Sequence, residues 1–368
     1  MRQAEIVGWG KALPPTALTN EDLERIVDTS DEWIVTRTGI RERRISHVEA
    51  SDMSVVAARR ALAAAGMEPQ EIGAIINCTC TPESLLPAGA AYLQKKLGVI
   101  GPAAFDMNAN CSTFVYGLVV GTDLIRTGTF DSILLVGVEK FSYVTDWSDR
   151  TTCVLFGDGA GAVVLKATDE PVGIVASELG NDAEMVEHLY LPSLGTSGVP
   201  GPRDPSLAGV RMNGPEVFRR AVTMMADSAT LVVEKAGWGI DEVDLLIPHQ
   251  ANLRIIDATA RRLKLGPERV FVNVDRYGNT SAATIPIAIA EAVEQGMITP
   301  GGKIVFAAFG GGLSWGAAAF KWGERVTPIA TTDAEIPEFD GTVFELLAPH
   351  LEFFGVGERG KQETEERL

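Results

Sequence analysis

Residues 65–76 read AGMEPQEIGAII, and residues 236–247 read AGWGIDEVDLLI. Both open on Ala-Gly, carry a Glu followed by Ile or Val, and close on an apolar pair, at an offset of 171. Three further matches follow in the same order. FDMN (105–108) pairs with FVNV (271–274), SILLVGVE (132–139) with KIVFAAFG (303–310), and FGDGAGAVVLKA (156–167) with FGGGLSWGAAAFKW (309–322). Similarity that keeps its order across two halves reads as an internal duplication. The last offset shrinks to 153, so the first half carries extra residues, which we place at KFSYVTDWSDRTTCV (140–154).

Each half alternates helical and strand patterns, which argues for two α/β units. In the first half SVVAARRALAAAG reads as a helix ending at Gly66, AIINCTC as a buried strand, PAGAAYLQKKLG as a helix and AAFDMN as a strand. The helix predicted over 111–126 is apolar on nearly every face and belongs between layers. The second half repeats the plan, with VFVNV as a strand and a helix over 252–265. Residues 324–368 break the pattern. They hold eleven acidic and four basic side chains and one apolar patch, TVFELLAPHLEFF (342–354), where Pro349 argues against a continuous helix. We read this tail as a solvated extension packed loosely on the body, with docking of a partner as the alternative. The expected division is 1–170, 171–323 and 324–368.

The 368 residues are 46% hydrophobic and 22% charged, which excludes disorder, collagen and coiled coil as the main architecture. A formal net charge of −17 argues against a nucleic-acid coat, and an acidic partner would need a local basic patch. The N-terminus lacks the apolar core of a signal peptide, and no apolar run approaches the ~20 residues of a membrane span. Four cysteines (Cys78, Cys80, Cys111, Cys153) are too few for a disulfide scaffold. Together these predict a cytoplasmic protein with free thiols, making no contact with membrane.

Three residues are candidates for chemistry. Cys111 follows a strand and opens the apolar helix, with Asn110 as its predicted cap, and a helix N-terminus lowers a thiol's pKa. It is either a nucleophile or a buried structural cysteine. His249, in VDLLIPHQANLRI, lies at the C-terminal end of a strand, where α/β sheets gather their sites. A histidine satisfied by a backbone hydrogen bond would look the same. Asn279, in DRYGNTSAATIP, is either a helix cap or the partner of Cys111 across the duplication, 168 residues on. The runs FGDGAGA and FGGGLSWG precede strands, so neither is a dinucleotide fingerprint. Cys78 and Cys80 read as C-x-C on one strand, without the spacing of a zinc site.

The strings TSDEWIVTRTGIRERRI (29–45), Asn110-Cys111-Ser112, FGDGAGA, PHQANLRI, YGNTSAA and FGGGLSWG, in this order, resemble the β-ketoacyl-acyl-carrier-protein synthase III family. The resemblance runs from about Ile6 to Trp322 and implies the thiolase fold, an internally duplicated five-layer αβαβα arrangement, usually as a homodimer. It implies decarboxylative Claisen condensation of a short acyl-CoA with malonyl-acyl-carrier protein, starting fatty acid synthesis, with no metal and no cofactor, acyl-CoA being a substrate. Cys111 becomes the acyl acceptor and His249 and Asn279 its partners. Cys111 and Gly311 supply an oxyanion hole, and Phe309 sits beside the nucleophile.

The resemblance also implies a CoA site of Thr29, Trp33, Arg37, Arg150, Gly214, Phe218, Ala251 and Asn252, with adenine sandwiched between Trp33 and Arg150. Leu86 would bound the acyl pocket across the dimer. Arg254, Arg261, Arg262 and Lys264 form a basic island on the helix 252–265, read as a docking face for the acidic carrier. Two departures stand out: the tail beyond Trp322, and the polar MNANCSTF around the nucleophile. The same scaffold also serves starter or ketone-forming synthases of secondary metabolism. A reading of another class is a non-catalytic acyl-carrier-binding partner.

Overall fold

The structure is a computed structural model that describes residues 2–192, 204, 205 and 207–357. Up to residue 170 the elements are β1 (Gln3–Ala12), β2 (Ala17–Thr19), α1 (Asn20–Glu24), α2 (Asp31–Thr38), β3 (Glu42–Arg44), α3 (Ala50–Ala65), β4 (Ala74–Cys78), α4 (Gly89–Leu97), β5 (Ala103–Met107), α5 (Thr113–Arg126), β6 (Ser132–Lys140) and β7 (Asp158–Thr168). Then come β8 (Gly173–Asn181), β9 (Leu189–Tyr190), β10 (Arg211–Met212), α6 (Gly214–Lys235), β11 (Leu245–Pro248), α7 (Leu253–Leu263), α8 (Val274–Tyr277), α9 (Thr284–Glu294), β12 (Lys303–Gly310), β13 (Ser314–Lys321) and α10 (Val343–Phe353).

Two sheets carry the fold. The first runs β1-β7-β6-β4-β5, and the second β8-β13-β12-β11. Beyond β11 a single parallel bridge, Leu246 to Val270, stands where β5 stands in the first sheet. The pairing senses repeat as well: two antiparallel pairs, then two parallel ones. The predicted strand VFVNV is therefore reduced to one bridge. Gln250 is the reason. Its side chain donates to Phe271 O and accepts from Asn273 N at 2.9 Å, replacing a ladder partner.

α3 and α4 cover the outer face of the first sheet, and α6 the outer face of the second, with α7 packed on α6. α5 and α9 lie between the sheets, giving five layers. The sequence of α5 explains its place, since Phe114, Val115, Leu118 and Ile125 are all fully or nearly fully buried. Glycine lets α9 approach the first sheet: a Cβ on Gly161 would sit 2.5 Å from Ile287 N. Two corrections concern this region. Asn110 does not cap α5. It adopts a left-handed φ of 54°, and its side chain donates to Gly311 O at 3.1 Å. Cys80 lies beyond the end of β4, so the two cysteines are not a strand pair.

Most of the extension's described residues are exposed, as expected of a solvated tail, but it is anchored on the body at several points. After the buried Trp322 it crosses α3, where Ile329 N and Ala330 N donate to Ala64 O and Ala63 O at 3.0 and 3.1 Å. Arg60 Nε donates to Ala334 O, Ile336 is buried against α3, and Phe339 stacks on His47 at 5.4 Å. α10 then runs through Pro349 unbroken. Proline forfeits one helical hydrogen bond. Against that stand a Thr342–Glu345 capping box and the burial of Val343, Leu347 and Leu351. The charged residues 358–368 lie outside the described residues.

Candidate active site

Cys111, His249 and Asn279 all line one cavity of about 1850 Å³. Cys111 and His249 arrive from strand ends, Asn279 from the turn between two helices. Cys111 sits in the turn between β5 and α5, His249 follows β11, and Asn279 precedes α9. The backbone of His249 extends the β11–β12 ladder, donating to Ala307 O at 2.8 Å. Asn279 N donates to Leu155 O at 2.8 Å, and Gly157 N to Asn279 O at 3.1 Å. These bonds fix the loop after β6 against the turn before α9.

The nucleophile is tightly enclosed. Cys111 is buried, and a Cβ on Gly310 would lie 2.7 Å from its nitrogen. Burial pushes the Cys111 thiol up to about 12, against an opposing hydrogen bond to Ser281. Cys111 lies in the turn before α5, and burial raises its thiol where a helix N-terminus was expected to lower it. His249 is buried too, and burial alone lowers its imidazole to about 3. The resting pair is a neutral thiol and a neutral imidazole. His249 Nδ1 lies 2.7 Å from Thr284 Oγ1, which also lies 2.9 Å from Ser281 O. Thr284 has one proton for two acceptors, so its orientation selects the imidazole tautomer. Asn279 Oδ1 accepts from Ser281 N at 2.8 Å, and Asn279 lines the cavity.

Behind Cys111 lies a buried carboxyl that the sequence reading missed. Glu139 accepts from Thr79 Oγ1, Cys80 N, Thr81 Oγ1 and Ser281 Oγ, the last at 3.0 Å. Burial raises its pKa, and these donors oppose the rise. A lone Glu closing the apolar run SILLVGVE was the available signal. Ser281, Thr284, Pro349 and His350 were also missed.

Phe309 and Gly311 line the same cavity, as do Trp33, Arg37, Gly214, Phe218, Ala251, Asn252 and Arg254. Several of these are already engaged. Asn252 caps α7 and donates to Arg37 O. Arg150 is not spaced from Trp33 for a sandwich. Its guanidinium lies 4.6 Å from the ring centroid, with Asp28 3.8 Å away, so a base could enter only if Arg150 withdrew. Thr29 does not line the cavity, and its buried Oγ1 lacks a hydrogen-bond partner among the described residues. Leu86 is 88% exposed and stands outside the cavity, whereas its neighbour Leu85 lines it. Of the basic island, all four side chains are exposed, but Arg262 pairs with Asp227 at 3.0 Å and Arg254 lies over Phe218.

Among the described residues no cluster of His, Cys, Asp and Glu could hold a metal, and no helix is long and apolar enough to cross a membrane. Residues 105–183 match the family model for 3-oxoacyl-[acyl-carrier-protein] synthase III, and residues 233–322 match the model for its C-terminal region. The chain is 50% identical over 349 residues to β-ketoacyl-[acyl-carrier-protein] synthase III 2 of Vibrio vulnificus, covering 95% of this chain and 96% of that one. It is 50% identical over 328 residues to the synthase III of Symbiobacterium thermophilum, covering 88% and 99%. The crystal structure of 3-oxoacyl-[acyl-carrier-protein] synthase III from Aquifex aeolicus superposes with a TM-score of 0.82 at 44% identity, over 87% of this chain and all of that one. The priming β-ketosynthase of the R1128 polyketide pathway reaches the same TM-score at 33% identity, over 88% and 97%. With its duplicated five-layer thiolase fold and its cavity between strand ends, this chain belongs to the β-ketoacyl-acyl-carrier-protein synthase III family.

Proposed function

We propose that this acyltransferase condenses a short acyl-CoA with malonyl-acyl-carrier protein, starting fatty acid chains through an acyl-Cys111 intermediate. The observation that carries the reading is the convergence of Cys111, His249 and Asn279 on one cavity. Cys111 sulfur attacks the thioester carbonyl, its proton leaves with CoA, and the acyl group stays on Cys111. Malonyl carrier then loses carbon dioxide. The electron pair of the broken carbon–carbon bond moves into an enolate, whose oxygen takes hydrogen bonds from His249 Nε2–H and the Asn279 amide. The enolate carbon attacks the acyl carbonyl, the oxyanion rests on the N–H groups of Cys111 and Gly311, and the Cys111 sulfur is expelled as a thiolate that takes up a proton from water. The Nε2–H tautomer requires the Thr284 hydroxyl to donate to Nδ1.

The steps separate experimentally. His249→Ala and Asn279→Ala should keep acylation of Cys111 while condensation falls by about 10²–10³-fold each, the usual cost of one oxyanion donor. Product is read as 3-oxoacyl carrier by mass spectrometry, with carbon dioxide released in equal amount. Variants that lost acylation and condensation equally would contradict the division of labour.

Trp33 and Arg37 suit the adenine and phosphates of CoA. Gly214, Phe218, Ala251 and Asn252 form the channel toward Cys111. Arg254, Arg261 and Lys264 suit an acidic carrier, Arg262 being tied to Asp227. Charge reversal at Arg254 and Arg261 should raise the apparent KM for malonyl carrier, and an unchanged KM would remove that surface. A homodimer is supported by the open edge at β5, which among the described residues pairs only with β4, and by the exposed Leu85, Leu86 and Ile100 nearby. Leu86 would then act in the partner's pocket. We place the enzyme in the cytoplasm, needing substrates but no cofactor. The 33% identity to a polyketide priming synthase favours a second reading as a starter synthase. The preferred primer and extender would separate the two.

A further inference from the structure

Acylation needs a group that takes the proton from Cys111, and neither His249 nor Asn279 is suited to it. An amide is no base. His249 Nδ1 is engaged with Thr284, and the tautomer that serves condensation already carries a hydrogen on its other nitrogen. Burial also holds this imidazole at about 3, far below the value of a base that works near neutral pH.

Glu139 is a different case. It is fully buried near the end of β6, with the residues that follow β4 wrapped around its carboxyl. Oε2 accepts from Thr79 Oγ1 at 3.2 Å and from Thr81 Oγ1 at 2.5 Å. Oε1 accepts from Cys80 N at 3.2 Å and from Ser281 Oγ at 3.0 Å. All of these donors are uncharged. A buried carboxylate without a cation beside it takes up a proton more readily than an exposed one.

Ser281 joins this carboxyl to the nucleophile. The turn Asn110–Ser112 packs against the turn Ser281–Ala283, and Cys111 and Ser281 share a hydrogen bond as well as the cavity. Ser281 takes a left-handed φ of 48°, uncommon for a residue with a side chain. In that conformation each of its polar groups serves a different neighbour. Its N–H holds Asn279 Oδ1, its carbonyl accepts from Thr284 Oγ1, and its hydroxyl donates to Glu139. A serine hydroxyl has one hydrogen. With that hydrogen on Glu139, the oxygen accepts from the Cys111 thiol.

We propose that Glu139, acting through the Ser281 hydroxyl, is the proton acceptor that turns Cys111 into a thiolate for acylation. The proposal rests on the reading of Cys111 as the acyl acceptor. The thiol hydrogen passes to Ser281 Oγ as the hydroxyl hydrogen passes to Glu139 Oε1. Sulfur keeps the electron pair of the broken S–H bond, so the negative charge moves from carboxylate to thiolate. Ser281 then donates to the thiolate, and the new acid O–H donates to Ser281. After the sulfur has attacked the thioester, the chain runs backward toward the departing CoA sulfur. CoA leaves as a thiol and Glu139 returns to carboxylate.

The test uses the full-length protein with Ser281→Ala, Glu139→Gln and the two combined. Ser281→Ala removes the hydroxyl and keeps the backbone bonds to Asn279 and Thr284. Glu139→Gln keeps the volume and loses the basic oxygen. Acylation of Cys111 is timed by intact-protein mass with acetyl-CoA. Condensation is timed in a single turnover, after each protein has been acylated to completion and mixed with malonyl carrier. Each single variant should acylate about 10²–10⁴-fold more slowly, the usual contribution of a positioned base. Condensation should stay within about threefold of the parent, the reverse of the pattern expected for His249→Ala and Asn279→Ala. The double variant should be no slower than the slower single one, because both groups act in one chain. Losses that multiply in the double variant would overturn the proposal. So would an equal fall in both steps, which would leave Glu139 and Ser281 a packing role only. Alkylation of Cys111 by iodoacetamide, located by peptide mapping apart from Cys80, reads thiolate formation without any acyl-CoA. Equal alkylation rates in the parent and Ser281→Ala would overturn the relay. A parent that is alkylated at Cys111 but accepts no acyl donor would instead overturn the functional reading.

Discussion

Cys111 and His249 line one cavity as neutral groups, and burial is the cause in both. For His249 this has a thermodynamic consequence with a definite sign. Its folded-state value is about 3 against 6.5 for an accessible imidazole. Below pH 6.5 the unfolded chain takes up a proton that the native state refuses. This residue therefore removes stability as pH falls from 6.5 toward 3, by ~1.4 kcal/mol per pH unit once the unfolded imidazole is charged. Glu139 and Asp158 act with the opposite sign. Burial raises both, so their native forms keep protons to higher pH than the unfolded chain does. Comparison with His249→Gln isolates the histidine. In urea unfolding, the variant should lose about 2 kcal/mol less than the parent between about pH 7 and pH 5; equal losses would contradict the buried neutral imidazole. Thr284 is a positioning residue at this scale. Thr284→Val should lower kcat for condensation by about 10- to 100-fold, with acylation retained and Thr284→Ser restoring the rate. Loss of acylation as well would assign Thr284 to general packing. Cys111 and His249 were legible because each stands where a strand gives way to a helix; Asn279 was legible through its match to Cys111 across the duplication, although it stands between two helices and not after a strand. Glu139, Ser281 and Thr284 were not, since their roles arise from contacts between distant parts of the chain.

Elements were legible where hydrophobic period and end signals agree. α3 ends at Gly66, which takes the left-handed C-cap conformation, and α5 is apolar on most faces because sheets flank it. Disagreements came from tertiary contacts that override local chemistry. VFVNV has strand composition, yet Gln250 takes up its backbone groups. Pro349 should break a helix, yet α10 persists because three buried anchors hold it. The energetic claim is testable at Leu347, which is fully buried. Leu347→Ala should destabilise α10 or the whole fold by about 2–5 kcal/mol. Hydrogen exchange would show whether α10 opens alone or with the body. A loss below about 0.5 kcal/mol would mean that the helix is not anchored as described.

At the scale of the whole molecule, the duplication was visible as four ordered sequence matches, and the two sheets repeat their strand order and pairing senses. That repetition sets the Cys111 and Asn279 junctions at the ends of matching layers, with His249 on the neighbouring strand end. The extension obeyed no such symmetry, so its charge suggested a solvated tail while its few apolar residues do the packing. Net charge speaks to solubility and partners and is silent on burial. The account's central claim is that Cys111 takes the acyl group from acyl-CoA. Intact-protein mass spectrometry after incubation with a panel of acyl-CoAs, on the parent and on Cys111→Ala, tests it most directly. The account predicts a mass gain equal to one acyl group per chain in the parent and none in the variant. An equal gain in both, or no gain with any donor, would contradict it.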